Sequence, residues 1–344
     1  MSRPEIAVIG AGVAGLTAAR RLAQTCAVTV FDKARGPGGR LANRQRAGFA
    51  FDFGAQFFTA RAPRFMAEVG RLRAAGIVQP WHCRFAEIED GRTQHRRDWA
   101  DEQPHYVATG RMAALATHWA AGLDVRQNTR IAALERVGRG WALLDDAGRR
   151  FGPFAFVVLA LPAPQAAALL PSDSPLRTRA ASADMQGCYA LMLGLTAPLD
   201  PGFDAAIIRG EVLSWLSLCQ SRPGHEGGPG LVALSRNDWA EAHMDSPAET
   251  VRAAMQAELE TILGHGLEPA HSDLHRWRYA NCPPAPAAPP LADGGETLAV
   301  CGDWTHHGRV EAAYLSGLET AEAVLRLCPD LTSSPEAHPA AAPS

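Results

Sequence analysis

The residues best suited to chemistry stand at the two ends of the chain. Gly10-Ala11-Gly12-Val13-Ala14-Gly15 is a G-x-G-x-x-G run. In such a run the first glycine makes a tight turn, the second admits a pyrophosphate, and the third lets helix and strand pack closely. A helix N-terminus then offers its amide N–H groups and positive dipole end to the phosphates. Asp32 follows at about the 20-residue spacing at which a carboxylate grips a ribose hydroxyl. A glycine-rich turn alone is weak evidence of a ligand. A strand before it, a helix after it and an acid at the end of the next strand together point to a dinucleotide. This unit does not separate FAD from NAD.

Such residues must be held by a β-α-β unit, and the flanking sequence supplies one. Ile6-Ala7-Val8-Ile9 is a short apolar run, as in a buried parallel strand. Residues 14–24 read as a helix, and Val28-Thr29-Val30-Phe31 as a second strand ending at Asp32. Phe49, Phe51 and Phe53 alternate with smaller residues and predict a further strand. Residues 112–121 read as a helix, and 156–160 as a buried strand stopped by Pro162 and Pro164. In the middle, 189–195, 213–218 and 231–235 read as strands of an antiparallel sheet. Ser246-Pro247-Ala248-Glu249 predicts a capping box opening a helix to about residue 263. Residues 271–280 read as a strand, 283–290 as a linker, 298–301 as a last buried strand, and 311–327 as a helix. From Pro329 the Pro/Ser/Ala-rich tail is expected to be disordered. The expected fold is α/β: a Rossmann-type parallel sheet with helices, plus a second domain on a mostly antiparallel sheet with helices. Residues 1–60, 105–165 and 290–328 would form the discontinuous dinucleotide domain. Residues 61–104 and 166–289 would form the substrate domain, with 329–344 as the tail.

Composition narrows the function classes. Apolar residues are 47% and charged residues 20%, enough for a sizeable core. A formal net charge of -3 argues against nucleic-acid or anionic-membrane partners. No stretch approaches the roughly 20 apolar residues of a membrane span. The apolar start, 6–16, is broken by glycines and is not expected to be a signal peptide. The seven cysteines are scattered and never spaced C-x-x-C, so neither a structural metal nor a disulfide framework is expected. A reducing cytoplasm is the natural setting.

Arg35-Gly36-Pro37-Gly38-Gly39-Arg40 follows Asp32 directly and resembles the extended flavin signature D/E-K-x-x-x-x-G-G-R of amine-oxidase and glutathione-reductase-like flavoproteins. Arg40 can fork onto phosphate oxygens, and the glycines let the backbone come close. At the other end, Cys301-Gly302-Asp303-Trp304 and Gly308-Arg309-Val310-Glu311-Ala312-Ala313-Tyr314-Leu315-Ser316-Gly317 resemble that group's second flavin motif. Asp303 would hold a ribityl hydroxyl or a phosphate-side water. The helix start at Val310 and Glu311 would turn its positive end to the flavin N1–C2=O edge. Asp52-Phe53-Gly54-Ala55-Gln56-Phe57-Phe58-Thr59-Ala60-Arg61 and His275-Arg276-Trp277-Arg278-Tyr279-Ala280 narrow the likeness to the bacterial renalase-like proteins of the flavin amine oxidase and p-hydroxybenzoate hydroxylase-like superfamily. The resemblance runs from about residue 6 to 327 and is loosest over 164–264. It implies non-covalent FAD held by Gly10, Gly12, Ala14, Gly15, Asp32, Lys33, Gly39, Arg40, Gly54, Ala55, Gln56, Ile131, Gly302, Asp303, Val310 and Glu311. It also implies an oxidase that takes hydride from 2- or 6-dihydro isomers of NAD(P)H, with O2 as final acceptor.

A dihydropyridine loses hydride without prior proton removal, so no general base is required. His275, Trp277 and Tyr279 share one strand face and could wall a flat substrate against the flavin. Trp277 reads equally as core and His275 as a satisfied structural histidine. Gln56 and Trp304 complete the catalytic candidates, while His306 and His307 read as solvated loop residues. Lys33 is the chain's one lysine and lies at the adenosine end. The lysine-held water beside N5 that many amine oxidases use is therefore missing. An amine oxidase or desaturase-like enzyme is the alternative. An NAD-dependent dehydrogenase or a non-catalytic flavin module would leave Gly39-Arg40 and Gly302-Asp303 unexplained.

Overall fold

The computed structural model describes residues 3–283, 291–306 and 308–327. Most of the expected linker, His307 and the expected tail lie outside these residues. A six-stranded sheet runs in the order Leu291–Asp293, Leu298–Val300, Phe156–Leu159, Glu5–Ile9, Ala27–Phe31 and Asp124–Arg126. All neighbours are parallel except the first pair. Ile6, Ala7, Val8 and Val157 are fully buried, as both-face burial of a parallel strand demands. The helices Val13–Leu22 and Val310–Leu327 cross in close contact, because a Cβ on Gly317 would stand 2.2 Å from the Ala14 carbonyl oxygen.

The second sheet has seven strands, in the order His271–Asn281, Gln186–Gly194, Gly230–Ser235, Leu213–Leu218, Ala205–Arg209, Arg84–Glu89 and Arg92–Asp98. Only Ala205–Arg209 and Arg84–Glu89 pair in parallel. The helix Ala248–Leu263 buries Val251, Met255 and Leu259 in a cluster with Leu191, Leu216 and Leu231. Phe51 and Phe53 pack in a separate cluster with Ala190, Met192 and Val232 of the same sheet. Alternation along those strands sends one set of side chains to the helix and the other to the phenylalanines.

One local expectation is corrected, and one hairpin was not foreseen. The helix Ala248–Leu263 has Pro247 at its N-cap, with no side-chain cap hydrogen bond, so the Ser246 capping box does not form. The hairpin of Arg84–Glu89 and Arg92–Asp98 was not expected, because its outer strand is exposed at every residue and carries no apolar alternation. Among the described residues no helix is long and apolar enough to cross a membrane. No group of three or more His, Cys, Asp and Glu there could hold a metal ion.

Candidate active site

The glycine turn is closed on two sides and open on one. A Cβ on Gly10 would stand 2.4 Å from the Ala160 carbonyl oxygen, and one on Gly15 would stand 1.9 Å from that of Gly10. A Cβ on Gly12 would meet nothing within 4 Å. The turn is therefore crowded where it must pack and clear where a phosphate would approach. Asp32 anchors it: Oδ2 accepts the Ala11 N–H at 2.6 Å, and Oδ1 accepts that of Ala34 at 2.8 Å. Lys33 lies beside Asp32 with its surface largely exposed; partial desolvation by its neighbours, then the Arg130 charge, lower its pKa against the pull of Asp32. Ala14 lies in the first helical turn. Ile131 is buried in the cluster that includes Ile9 and Phe31.

Arg40 and Asp303, from opposite ends of the chain, form a bidentate pair. Nη1 donates to Asp303 Oδ2 at 2.8 Å and to the Ala280 carbonyl at 3.0 Å, and Nη2 donates to Asp303 Oδ1. Burial alone would lower the Arg40 pKa. The Asp303 charge and hydrogen bond outweigh it and keep the guanidinium charged. The expected phosphate fork of Arg40 thus points to a carboxylate and a carbonyl of its own chain. Gly39 has φ +53°, and a Cβ there would stand 3.5 Å from Gly12 Cα, so the two glycine segments adjoin. Gly54 lies against Arg40, since a Cβ would stand 2.0 Å from the Arg40 carbonyl oxygen, and that oxygen accepts the Ala55 N–H at 2.9 Å. Gly302 donates its N–H to Ser316 Oγ at 3.0 Å.

Other residues of the second motif hold neighbouring segments. Glu311 Oε1 accepts the N–H groups of Arg61 and Ala62 at 2.8 and 2.6 Å, capping the helix Pro63–Ala74 from outside. Val310 begins the last helix. Trp304 is buried, and its indole N–H reaches the Leu161 carbonyl at 3.1 Å. His306 is not a solvated loop residue: it is buried, with Nδ1 2.9 Å from Thr305 Oγ and Nε2 3.1 Å from Glu319 Oε2.

A buried polar clamp joins the Asp52 block to the seven-stranded sheet, and its key member was not read from sequence. Arg222 Nη2 donates to the Gln56 carbonyl at 2.7 Å and to Gln56 Oε1 at 3.0 Å, and Nη1 lies 3.4 Å from Asp52 Oδ2. Its guanidinium sits over the Trp81 ring at 4.9 Å. Ser217 Oγ also donates to Gln56 Oε1, at 2.9 Å, while Gln56 Nε2 donates to the carbonyls of Asp52 and Gly54 at 2.7 and 3.0 Å. Both amide hydrogens and both lone pairs of Gln56 are engaged within the protein. Asp52 Oδ1 accepts the Met112 N–H at 3.0 Å, at the start of the helix Ala113–Ala120. Burial pushes the Asp52 carboxyl above its usual range despite Arg222. An arginine in a Ser-Arg-Pro-Gly loop gives no sequence signal of such a role.

The strand His271–Asn281 meets the phenylalanine strand face to face. Phe49 and Phe51 stack near His271, and Phe53 stacks on Trp277 with centroids 5.3 Å apart and stands tilted against His275 at 4.7 Å. The Trp277 indole N–H donates to the Phe53 carbonyl at 2.9 Å. Tyr279 lies on the same strand, partly buried, beside the Ala280 carbonyl that Arg40 holds. Arg44 pairs with Asp273 at 2.7 Å and lies 3.4 Å from His275 Nδ1. Burial first, and the Arg44 charge second, push His275 down to about 4 against the opposing pull of Asp273. The unfolded chain takes up this proton near pH 6.5 and the folded chain only near 4. The neutral ring's contribution to stability is therefore complete above about pH 6.5 and is lost as pH falls toward 4. His275→Gln should flatten the stability profile over that window in urea titrations. An unchanged slope would refute the assignment.

Two family models match the chain. The model of the flavin-containing amine oxidoreductases matches residues 92–325, and that of an NAD(P)-binding Rossmann-like domain matches 8–72. A coproporphyrinogen III oxidase of Mycobacterium tuberculosis is 26% identical over 153 residues, 42% of this chain and 33% of that protein. A 4,4'-diapophytoene desaturase (4,4'-diaponeurosporene-forming) of Staphylococcus aureus is 53% identical over 51 residues, 14% of this chain and 10% of that protein. These matches span a third or less of the curated relatives' length. Among solved structures, one from an Exiguobacterium species, assigned provisionally as protoporphyrinogen oxidase, superposes with TM-score 0.73 at 12% identity. That match covers 94% of this chain and 99% of the other. Putrescine oxidase bound to putrescine superposes with TM-score 0.67 at 14% identity, covering 95% and 99%. At such identities the likeness is one of fold.

Proposed function

The chain belongs to the flavin-containing amine oxidoreductases, and on that premise we propose that it holds FAD without a covalent bond and oxidises a small, planar, conjugated substrate. The observation that carries the cofactor is the glycine turn, closed at Gly10 and Gly15 and open at Gly12, with Asp32 anchored beside it. Gly12 and Gly39 would admit the pyrophosphate. The Arg40–Asp303 pair would hold the ribityl side, and Gly54 and Ala55 would line the ring. FAD would supply a hydride acceptor, with O2 as final oxidant and H2O2 as product. The protein's part is to fix the donor carbon about 3–3.5 Å from that acceptor and to exclude water.

The matched relatives are named for coproporphyrinogen, diapophytoene and putrescine. A desaturase-like oxidation of a conjugated molecule suits this chain better than oxidation of a free alkylamine. The buried indole N–H groups of Trp99 and Trp215 have no hydrogen-bond partner among the described residues and call for an acceptor, which an alkylammonium lacks. A second reading keeps the 2- or 6-dihydro isomers of NAD(P)H as donors. It is favoured by the neutral His275, which stands tilted against Phe53 and edge-on to Trp277.

The test is anaerobic stopped-flow on the yellow holoenzyme, mixed in turn with the dihydropyridine isomers, ordinary NADH and putrescine. Bleaching by a conjugated donor and not by putrescine is expected. Bleaching by the diamine alone would overturn the substrate class. A colourless protein that takes up no FAD would overturn the cofactor. Acid precipitation should leave the colour in the supernatant.

A further inference from the structure

Three of the seven buried side-chain polar atoms without a hydrogen-bond partner among the described residues lie in one aromatic group: Trp99 Nε1, Trp215 Nε1 and His105 Nδ1. Trp99 and Trp215 are only 5% and 7% exposed. A buried donor left unpaired is expensive, and two indole N–H groups in contact with one imidazole ring call for a common partner. The rings are in contact. His105 stacks on Trp99 with centroids 3.7 Å apart. Phe57 stands edge-on to both, at 4.9 and 5.1 Å, and 5.4 Å from Trp215.

The group adjoins the proposed cofactor site. Ala55 is hydrogen-bonded to Arg40, and Phe57 is two residues further on, at most about 7 Å along the chain. Trp215 and Ser217 point to one side of their strand, and Ser217 bonds Gln56. Since the Gln56 amide is fully engaged, the open hydrogen-bonding atoms beside this block are those of Trp99, Trp215 and His105. Phe57 and His105 are only partly buried and form the accessible side.

We propose that Phe57, Trp99, His105 and Trp215 form the substrate-recognition recess, and that it takes a planar conjugated ring bearing carbonyl or carboxylate oxygens. An indole N–H donates and cannot accept, so its partner must be an acceptor. Aromatic walls suit a flat ring. Burial first, and the Arg97 and Arg61 charges after it, hold His105 below its usual pKa against a hydrogen bond to the Gln103 backbone that raises it. Facing the two indole donors, a carboxylate is favoured over an ammonium. This assignment rests on the flavin reading above, since it places the recess beside the flavin.

The test titrates the FAD-loaded protein with benzoate, nicotinamide and benzylamine and follows the flavin absorbance. Benzoate and nicotinamide should perturb the spectrum saturably, and benzylamine should bind at least about tenfold more weakly. Trp99→Phe and Trp215→Phe each keep a ring and remove one donor. Each should weaken benzoate on the order of tenfold, with flavin content unchanged. Unchanged benzoate affinity in both variants, a preference for benzylamine, or no response to either oxygen-bearing ring would overturn the proposal. If the protein takes up no FAD, the cofactor reading fails by itself. Quenching of tryptophan fluorescence by benzoate, lost in the two variants, would then still report the recess.

Discussion

Arg222→Met is expected to destabilise the protein by about 3–5 kcal/mol, the usual cost of removing one partner of a buried ion pair. In a chain of this size that lowers the thermal midpoint by roughly 4–7 °C. The variant would leave Asp52 buried without its countercharge, and would leave the carbonyl and Oε1 of Gln56 short of a donor. Ser217 alone would then hold Gln56 Oε1. Because burial already pushes Asp52 upward, the variant should protonate Asp52 or shift the block away from the sheet. Asp52→Leu combined with Arg222→Met should recover much of the loss, since a buried pair replaced by apolar groups is often near neutral. Differential scanning calorimetry on the four proteins of this cycle measures both effects. A single variant that melts within about 1 °C of the parent would show that the clamp carries no stability.

The second large effect separates folding from cofactor binding at two glycines three residues apart. Gly15→Ala puts a methyl 1.9 Å from the Gly10 carbonyl oxygen, a backbone atom that cannot turn aside. The helix must shift off the strand, at a cost of about 3 kcal/mol or more, and soluble yield should collapse. Gly12→Ala meets no atom within 4 Å, and its backbone, φ -79° and ψ -176°, suits any residue. The flavin-free Gly12→Ala protein should melt with the flavin-free parent. Its added methyl occupies the approach to the pyrophosphate, so FAD retention should fall at least about tenfold. Equilibrium dialysis against FAD, paired with thermal melts of both flavin-free proteins, reads the two properties independently. Full flavin occupancy in Gly12→Ala would remove the phosphate from this turn.

The parallel sheet and much of the cofactor cradle were legible in the sequence because their constraints are local. A buried parallel strand must be continuously apolar, which marks Ile6–Ile9, Phe156–Leu159 and Leu298–Val300. A strand that turns into a helix against a phosphate must place glycines at fixed offsets, which marks Gly10, Gly12 and Gly15. Alternation marked Phe49, Phe51 and Phe53, and likewise His275 and Trp277, as faces. Tertiary structure alone decided that these two faces lock onto each other, through Phe53 against Trp277. It also decided that Arg40 pairs with Asp303, residues that single motifs had each directed toward the cofactor. Arg222 was illegible because its partners lie far back along the chain, in a block whose spacing to it is set by sheet order. Trp99, His105 and Trp215 were illegible for the same reason. The hairpin that leads to Trp99 has a solvent-facing outer strand with no apolar period, and it reaches Trp215 only through the parallel pairing of Arg84–Glu89 with Ala205–Arg209. Local pattern determines which face of an element is buried. Which distant side chain meets that face is a property of strand order, which this sequence encodes only through the packing energy of the whole.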